Sequence, residues 1–162
     1  MAKPIKKQGK PAEVLVSQNR AASYNYILLE RVEAGMVLLG TEVKSLREGK
    51  ANIRDSYAVI RAGAVWLLNS HISEYLPGGP FNHSPLRPRK LLLHKAEIEK
   101  LDRKMDNKGL TLVPIKIYFK EGVAKCEIAL AQGKKKWDRR QSEKDKETKR
   151  EVGEAMRDLR HR

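Results

Sequence analysis

Residues 110–130 constrain this chain more than any other stretch. Thr111, Val113, Ile115, Ile117 and Phe119 recur at every second position, the period of a strand with one face on a core. Glu121-Gly122 interrupts, and Ala124, Cys126, Ile128 and Leu130 then resume the same period. Two alternating runs joined across a short glycine turn read as an antiparallel hairpin. A lone hairpin is marginal in water, so further strands or a helix must cover its apolar face. Pro114 removes a ladder donor, which puts an edge or a bulge at that point. Cys126 falls on the apolar face as a small core residue rather than a nucleophile or ligand. As the single cysteine it excludes an intramolecular disulfide framework, and this usage fits a reducing cytoplasm.

The rest of the chain supplies the partners. From about Tyr26 onward both faces carry apolar residues (Leu28 and Val32 on one, Ile27 and Leu29 on the other), so a central strand is expected. Met36-Val37-Leu38-Leu39, bounded by Gly35 and Gly40, reads as a short buried strand. Residues 57–61 and 65–72 read as strands joined across Ala62-Gly63. Between the run at 36–39 and the strand at 57–61 lies a two-turn helix, with Thr41 as N-cap, Val43 and Leu46 inward, Lys44 and Arg47 outward, and Gly49 as a left-handed C-cap. Leu91, Ile98, Leu101 and Met105 share one stripe, which predicts a helix over residues 91–106. Short antiparallel strands with the best helix before the last hairpin suit a small closed barrel of the OB type, mainly β with α, or another small α+β fold. The expected organisation is a flexible basic arm over residues 1–16, the barrel over 17–133 and a basic tail over 134–162.

Charge narrows the function. Lys and Arg number 34 against 20 Asp and Glu, a net charge of +14 with a pI near 10.0. Such a field attracts polyanions, either nucleic acid or an acidic membrane surface. No stretch approaches the roughly 20 apolar residues of a membrane-spanning helix. No hydrophobic segment follows Lys3, Lys6 and Lys7, so no secretory signal is expected. The histidines, His71, His83, His94 and His161, lie far apart without metal-ligand spacing. Neither a Gly-x-Ser-x-Gly elbow nor a phosphate-binding Gly-Lys-Ser/Thr loop is present, so neither an enzyme nor a cofactor is expected. Residues 74–88 form a proline- and glycine-rich loop with Tyr75, Phe81 and His83, and it leaves through Arg87-Pro88-Arg89-Lys90. Cations with rings suit recognition of unpaired RNA, and a solvated loop with scattered charge weighs equally. Lys44, Arg47, Arg89, Lys90, Lys134 and Lys135 are expected to supply much of the attraction for phosphate. In the tail, Val152, Ala155, Met156 and Leu159 make one apolar stripe on an otherwise charged sequence. The tail is therefore expected to be disordered alone and helical against a partner.

Five blocks occur in order: Glu33-Ala34-Gly35, Gly40-Thr41-Glu42-Val43-Lys44-Ser45, Asp55-Ser56-Tyr57, Arg89-Lys90-Leu91-Leu92-Leu93-His94 and Gly133-Lys134-Lys135 before a basic tail. In this the chain resembles the SsrA-binding protein (SmpB) family from about Asn19 to the C-terminus. The resemblance implies a small antiparallel OB-like closed β-barrel with about three helices, and a cytoplasmic, monomeric RNA-binding adaptor of trans-translation. It implies binding to the tRNA-like domain of transfer-messenger RNA, delivery to stalled ribosomes with elongation factor Tu, and a tail in the decoding centre and vacant messenger channel. RNA-binding roles carry over onto Glu33, Leu92 and His94, with Asn19 and Arg20 beside them. The family usually has basic or histidine residues where Ala21-Ala22-Ser23-Tyr24 stand. Trp137-Asp138-Arg139-Arg140 falls where the family has an aromatic or histidine followed by Asp-Lys-Arg, with Trp137 placed to stack on ribosomal RNA; Met156 and Leu159 are the candidate ribosome contacts of the stripe. Two other classes compete: a ribosomal-protein-like constitutive binder of ribosomal RNA, and an RNA-acting enzyme.

Overall fold

A computed structural model describes residues 12–107 and 109–160. The element order is β1 (Glu13–Gln18), α1 (Ala22–Asn25), β2 (Tyr26–Met36), α2 (Gly40–Arg47), β3 (Ala51–Asn52), β4 (Tyr57–Arg61), β5 (Ala64–Leu68), β6 (His71–Ile72), a 3-10 segment (Leu76–Phe81), β7 (Arg89–Leu92), α3 (Lys95–Met105), β8 (Leu110–Lys120), β9 (Val123–Gly133) and α4 (Lys136–Arg160). A seven-stranded antiparallel sheet runs in the order β1-β8-β4-β5-β7-β2-β9, and β9 pairs again with β8. The ladder thus leads from β8 through β4, β5, β7, β2 and β9 back to β8. β3 and β6 pair apart from it. Among the described residues, no helix is long and apolar enough to cross a membrane.

The β8–β9 hairpin forms as its alternation predicts, with Lys120 paired to Val123 across Glu121 and Gly122. Both turn residues have positive φ (52° and 78°), the twist that matches paired strands. Ala62 and Gly63 do the same between β4 and β5 (49° and 71°). Tyr26 opens β2, which is central as expected, with β7 on one side and β9 on the other.

Five readings of the fold need correction. Residues 65–72, read as one strand, divide at Asn69 (φ 57°) into β5 of the large sheet and β6, which pairs with β3. Glu13 to Val16 do not belong to an arm: they enter β1, where Val14 pairs with Phe119 along β8. Residues 1–11 of the expected arm lie outside the described residues. The run at 36–39 is not a strand of its own; β2 ends at Met36 and the rest leads into α2. Leu91 is on strand β7, not on a helix, and α3 begins only at Lys95. The register shift between Pro114 and Lys116 splits the face expected of β8. Before it Leu112 joins the main core, and after it Ile117 and Phe119 do. Val113 and Ile115 instead pack with Ala22, Ala129 and Ala131 in a second cluster. One extra residue in a strand exchanges its faces, and Pro114 is where the ladder tolerates it.

The main core gathers Leu46 of α2, Val65 and Leu67 of β5, Leu91 of β7 and Leu101 of α3 against Cys126, Ile128 and Leu130 of β9. Cys126 is therefore a core residue, and burial pushes its thiol up to about 12.

Candidate nucleic-acid interface

Two polar assemblies stand out, one buried and one open. The buried assembly centres on Glu42. Leu39, not Thr41, is the N-cap of α2, and its N–H donates to Glu42 Oε2 at 2.8 Å. Arg87 grips the same carboxylate with two bonds, Nε to Oε1 at 3.1 Å and Nη2 to Oε2 at 2.7 Å. Arg89 Nε adds a third at 2.9 Å. The Arg89 guanidinium also donates to the Ser70 carbonyl, the Ser70 hydroxyl and the Pro85 carbonyl, at 2.6, 2.8 and 3.1 Å. Glu42 and Arg89 are both 0% exposed. Burial alone would raise the Glu42 pKa, but the bonds from Arg87 and the Leu39 amide, with the Arg89 charge, hold it below the usual carboxylate range. Arg89, expected to meet phosphate, is thus part of the core: its donors face protein oxygens and none faces solvent.

Asn19 requires the same correction. Its side chain is buried, donating to the Pro114 carbonyl at 3.2 Å and accepting from the Ala22 N–H at 3.1 Å. It satisfies the N–H of Ala22, the first residue of α1, and ties that segment to the β8 bulge. Arg20 beside it is exposed.

The open assembly is a cleft of about 780 Å³ between β2, β7, α3 and the start of β9. It brings together Glu33, Leu92 and His94, which the sequence holds far apart. The register explains why: Gly35 pairs with Leu92 of β7 on one side and with Lys125 of β9 on the other. His94 follows β7 as the N-cap of α3, where its N–H donates to Glu97 Oε2 at 3.0 Å. Glu33 accepts from the Tyr118 hydroxyl, and Lys120 Nζ lies 3.3 Å from Oε2. The Tyr118 bond, with Lys120 helping against burial, keeps the Glu33 carboxyl below its ordinary range. Burial and the Glu33 charge push the Tyr118 hydroxyl the other way. Glu30, bonded by Lys100 and Lys104, is drawn down to about 2. Leu92 stands 53% exposed on the wall.

Such a cleft offers an ionised, acceptor-only carboxylate, apolar walls and flanking cations. An ionised carboxylate repels phosphate but accepts from a base amino group or a ribose hydroxyl. Lys100, Lys125 and Val123 also line the cleft. The sequence reading missed all three: Lys100 sits on a helix read only for its stripe, and Lys125 and Val123 on a strand read only for its inward face. Among the described residues no group of three His, Cys, Asp or Glu side chains could hold a metal ion.

The remaining candidates are dispersed. Lys44 lies over the Tyr75 ring, 5.3 Å from its centroid. Arg47 lines a smaller hollow of about 390 Å³ beside β1. Lys90 is exposed on β7. Lys134 is engaged, with Nζ donating to the Ser23 carbonyl and the Ser142 hydroxyl, both at 2.9 Å, so it pins the root of α4. Lys135 is exposed, and its N–H donates to Asp138 at 3.1 Å. On α4, Trp137 is 75% exposed, and Arg139, Arg140 and Met156 also face solvent. The side chain of Leu159 lies outside the described residues.

The comparisons agree on one family. The family model for SmpB protein matches residues 16–158. The SsrA-binding protein of Desulforudis audaxviator is 54% identical over 145 residues, covering 90% of this chain and 95% of that protein. The SsrA-binding protein of Trichodesmium erythraeum is 53% identical over 152 residues, covering 93% and 97%. A solved chain reported under the words "tmRNA-SmpB: a journey to the center of the bacterial ribosome" is 51% identical with a TM-score of 0.63, covering 74% of this chain and 84% of that one. On this similarity the chain belongs to the SmpB family, a family of RNA-binding adaptors and not of enzymes.

Proposed function

We propose that this chain is an RNA adaptor of trans-translation that binds the tRNA-like domain of transfer-messenger RNA in the Glu33–Leu92–His94 cleft. The observation that carries this reading is the convergence of those three side chains, from β2, β7 and the cap of α3, on one open cleft flanked by lysines. Glu33 accepts from a base or ribose donor, Leu92 packs on a sugar or base, and His94 bonds at the rim. The return of the strand ladder to β8 supports an OB-like closed barrel as the platform. The protein acts as a cytoplasmic monomer, enters stalled ribosomes with its RNA and elongation factor Tu, and lays its tail in the decoding centre and the vacant messenger channel.

Glu33→Ala is expected to weaken binding of a transcribed tRNA-like RNA by about 10- to 100-fold, the scale of a hydrogen bond to a charged group. Its circular dichroism is expected to match the wild type. Unchanged affinity in a folded variant overturns the cleft assignment. Salt titration separates exposed cations from the buried one. Each phosphate neutralised contributes about 0.7–0.9 to the slope of log affinity on log salt. Lys135→Ala is expected to flatten the slope by about that amount, whereas a folded Arg89→Lys protein leaves the slope unchanged.

A further inference from the structure

The two most exposed large apolar side chains among the described residues sit on one loop. Phe81 is 90% exposed and Leu76 is 82% exposed, at the two ends of the 3-10 segment. Solvent-facing rings on a loose loop carry little meaning, but this loop is clamped from several sides. The Asn82 side chain accepts from the Tyr75 N–H at 3.0 Å and donates to the Tyr75 carbonyl at 2.6 Å, which ties the two ends of the segment together. Next to it His83 is buried, with Nε2 3.0 Å from the Ile72 carbonyl oxygen and Nδ1 2.9 Å from Thr41 Oγ1. The carbonyl can only accept, so Nε2 carries a proton, and in the neutral ring Nδ1 accepts from the Thr41 hydroxyl. Gly78 presses on α2 closely enough that an added Cβ would stand 3.1 Å from Thr41 Cγ2. Gly79, at φ 54° and ψ −135°, occupies backbone space that side chains rarely enter. Pro77 and Pro80 fix φ at two further positions.

A rigid display of apolar side chains reduces the ordering cost of binding a partner. The charges nearby indicate which partner. Lys44 sits over Tyr75 at the foot of the loop. Arg87 and Arg89 share a single carboxylate, Glu42, and with Lys44 these three cations stand against Glu42 and the exposed Glu74 beside Tyr75. An exposed ring beside cations, on a chain of net charge +14, matches a polyanion that offers flat apolar faces. None of these residues lines the Glu33 cleft.

We propose that the Leu76–Phe81 loop is a second RNA-binding platform, on which Phe81 stacks an unpaired base while Lys44 faces the adjoining phosphates. The platform is separate from the cleft and does not depend on the reading given to Glu33.

The test uses the full chain, a fluorescent oligoadenylate of about eight nucleotides and a duplex RNA of the same length, a size within the usual span of single-strand sites. Phe81→Ala is expected to bind the single strand about 5- to 100-fold more weakly, as removal of a stacking ring does. Phe81→Tyr keeps the wild-type affinity, and duplex binding is the same in all three proteins. Lys44→Ala flattens the salt dependence of single-strand binding; Phe81→Ala does not. Wild-type single-strand affinity in Phe81→Ala overturns the proposal, and so does an equal loss on both RNAs. Sedimentation covers the other occupant: a wild-type dimer that Phe81→Ala dissolves, with RNA affinity unchanged, makes the loop a contact between copies and overturns the platform. Glu33→Ala is measured on the same oligoadenylate. It is expected to bind as the wild type does, so that failure of the cleft and failure of the loop are told apart.

Discussion

Glu42→Ala is expected to destabilise the fold by about 3–5 kcal/mol, the cost of leaving a buried charge without its partner. That is a large share of the roughly 5–15 kcal/mol that holds a domain of this kind together. Arg89 is the reason. It is fully enclosed, and without the carboxylate its Nε loses a 2.9 Å bond to a counter-charge. Arg87, partly open to solvent, can turn to water; Arg89 cannot. The loss extends outward, because Glu42 also holds the Leu39 N–H at the start of α2, and Arg89 ties β7 to the Ser70 and Pro85 carbonyls. Glu42→Gln keeps the shape and can still accept, so a smaller loss is expected. The acid dependence follows from the depressed carboxyl pKa. A group whose folded pKa lies below its ordinary value of 4.5 stabilises the fold above that value and stops doing so as pH falls through the folded pKa. Wild-type stability is therefore expected to fall on acidification below about pH 4.5, and Glu42→Gln is expected to lose less over the same range. Urea midpoints measured between neutral and acidic pH check both statements. A Glu42→Ala protein with a wild-type midpoint would contradict the account of the buried triad.

The same residues show what can and cannot be read from a sequence. The β8–β9 hairpin was legible because its information is local: a period of two, a turn glycine, and a proline marking the bulge. Which residues the bulge sent to which core was not legible, since a one-residue shift leaves composition unchanged while exchanging the faces. Strand β7 was missed because it has only four residues and its partners are β5 and β2. Leu91 fits the stripe of a helix as well as it fits that strand. A signal for the true start of α3 was present in Glu97, three residues after His94, although histidine is a weak N-cap type. Arg89 was legible as a charge but not as a buried one. Its partner Glu42 lies on another element, and only the fold brings them within hydrogen-bond reach. The cleft was legible in Glu33, Leu92 and His94 only through the resemblance; Lys100, Val123 and Lys125 needed the register of β2 with its neighbours.

Removing residues 136–162 is expected to abolish peptide tagging on stalled ribosomes while leaving affinity for the isolated tRNA-like RNA within about twofold, on the scale of changes at sites independent of a binding surface. The truncation spares Lys134, whose bonds to Ser23 and to the Asn25 carbonyl complete the junction of β9 with α1. The argument rests on how little holds α4 in place. Its 25 residues touch the body mainly near its root, where the Tyr24 hydroxyl donates to Glu143 at 2.8 Å and Lys134 reaches Ser142. Beyond that its order is local, from Asp138 capping the Lys135 N–H to an Arg150–Glu154 ion pair at 3.0 Å. The Arg150 guanidinium turns forward, toward the C-terminal end of the helix, to reach Glu154. Pairs of this kind contribute only about 0.2–0.5 kcal/mol each. The helix therefore stands near its own folding threshold, and Val152, Ala155 and Met156 of its apolar stripe face solvent. A stripe left open on a charged, marginal helix is suited to ordering against another surface, and the cations at Arg139 and Arg140 favour one walled with phosphate. Met156→Asp is expected to reduce tagging less severely than truncation, again with RNA affinity intact. Tagging by the truncated chain at the wild-type rate would show that the tail has no part in the function; a parallel loss of RNA affinity would place α4 in the RNA-binding surface instead.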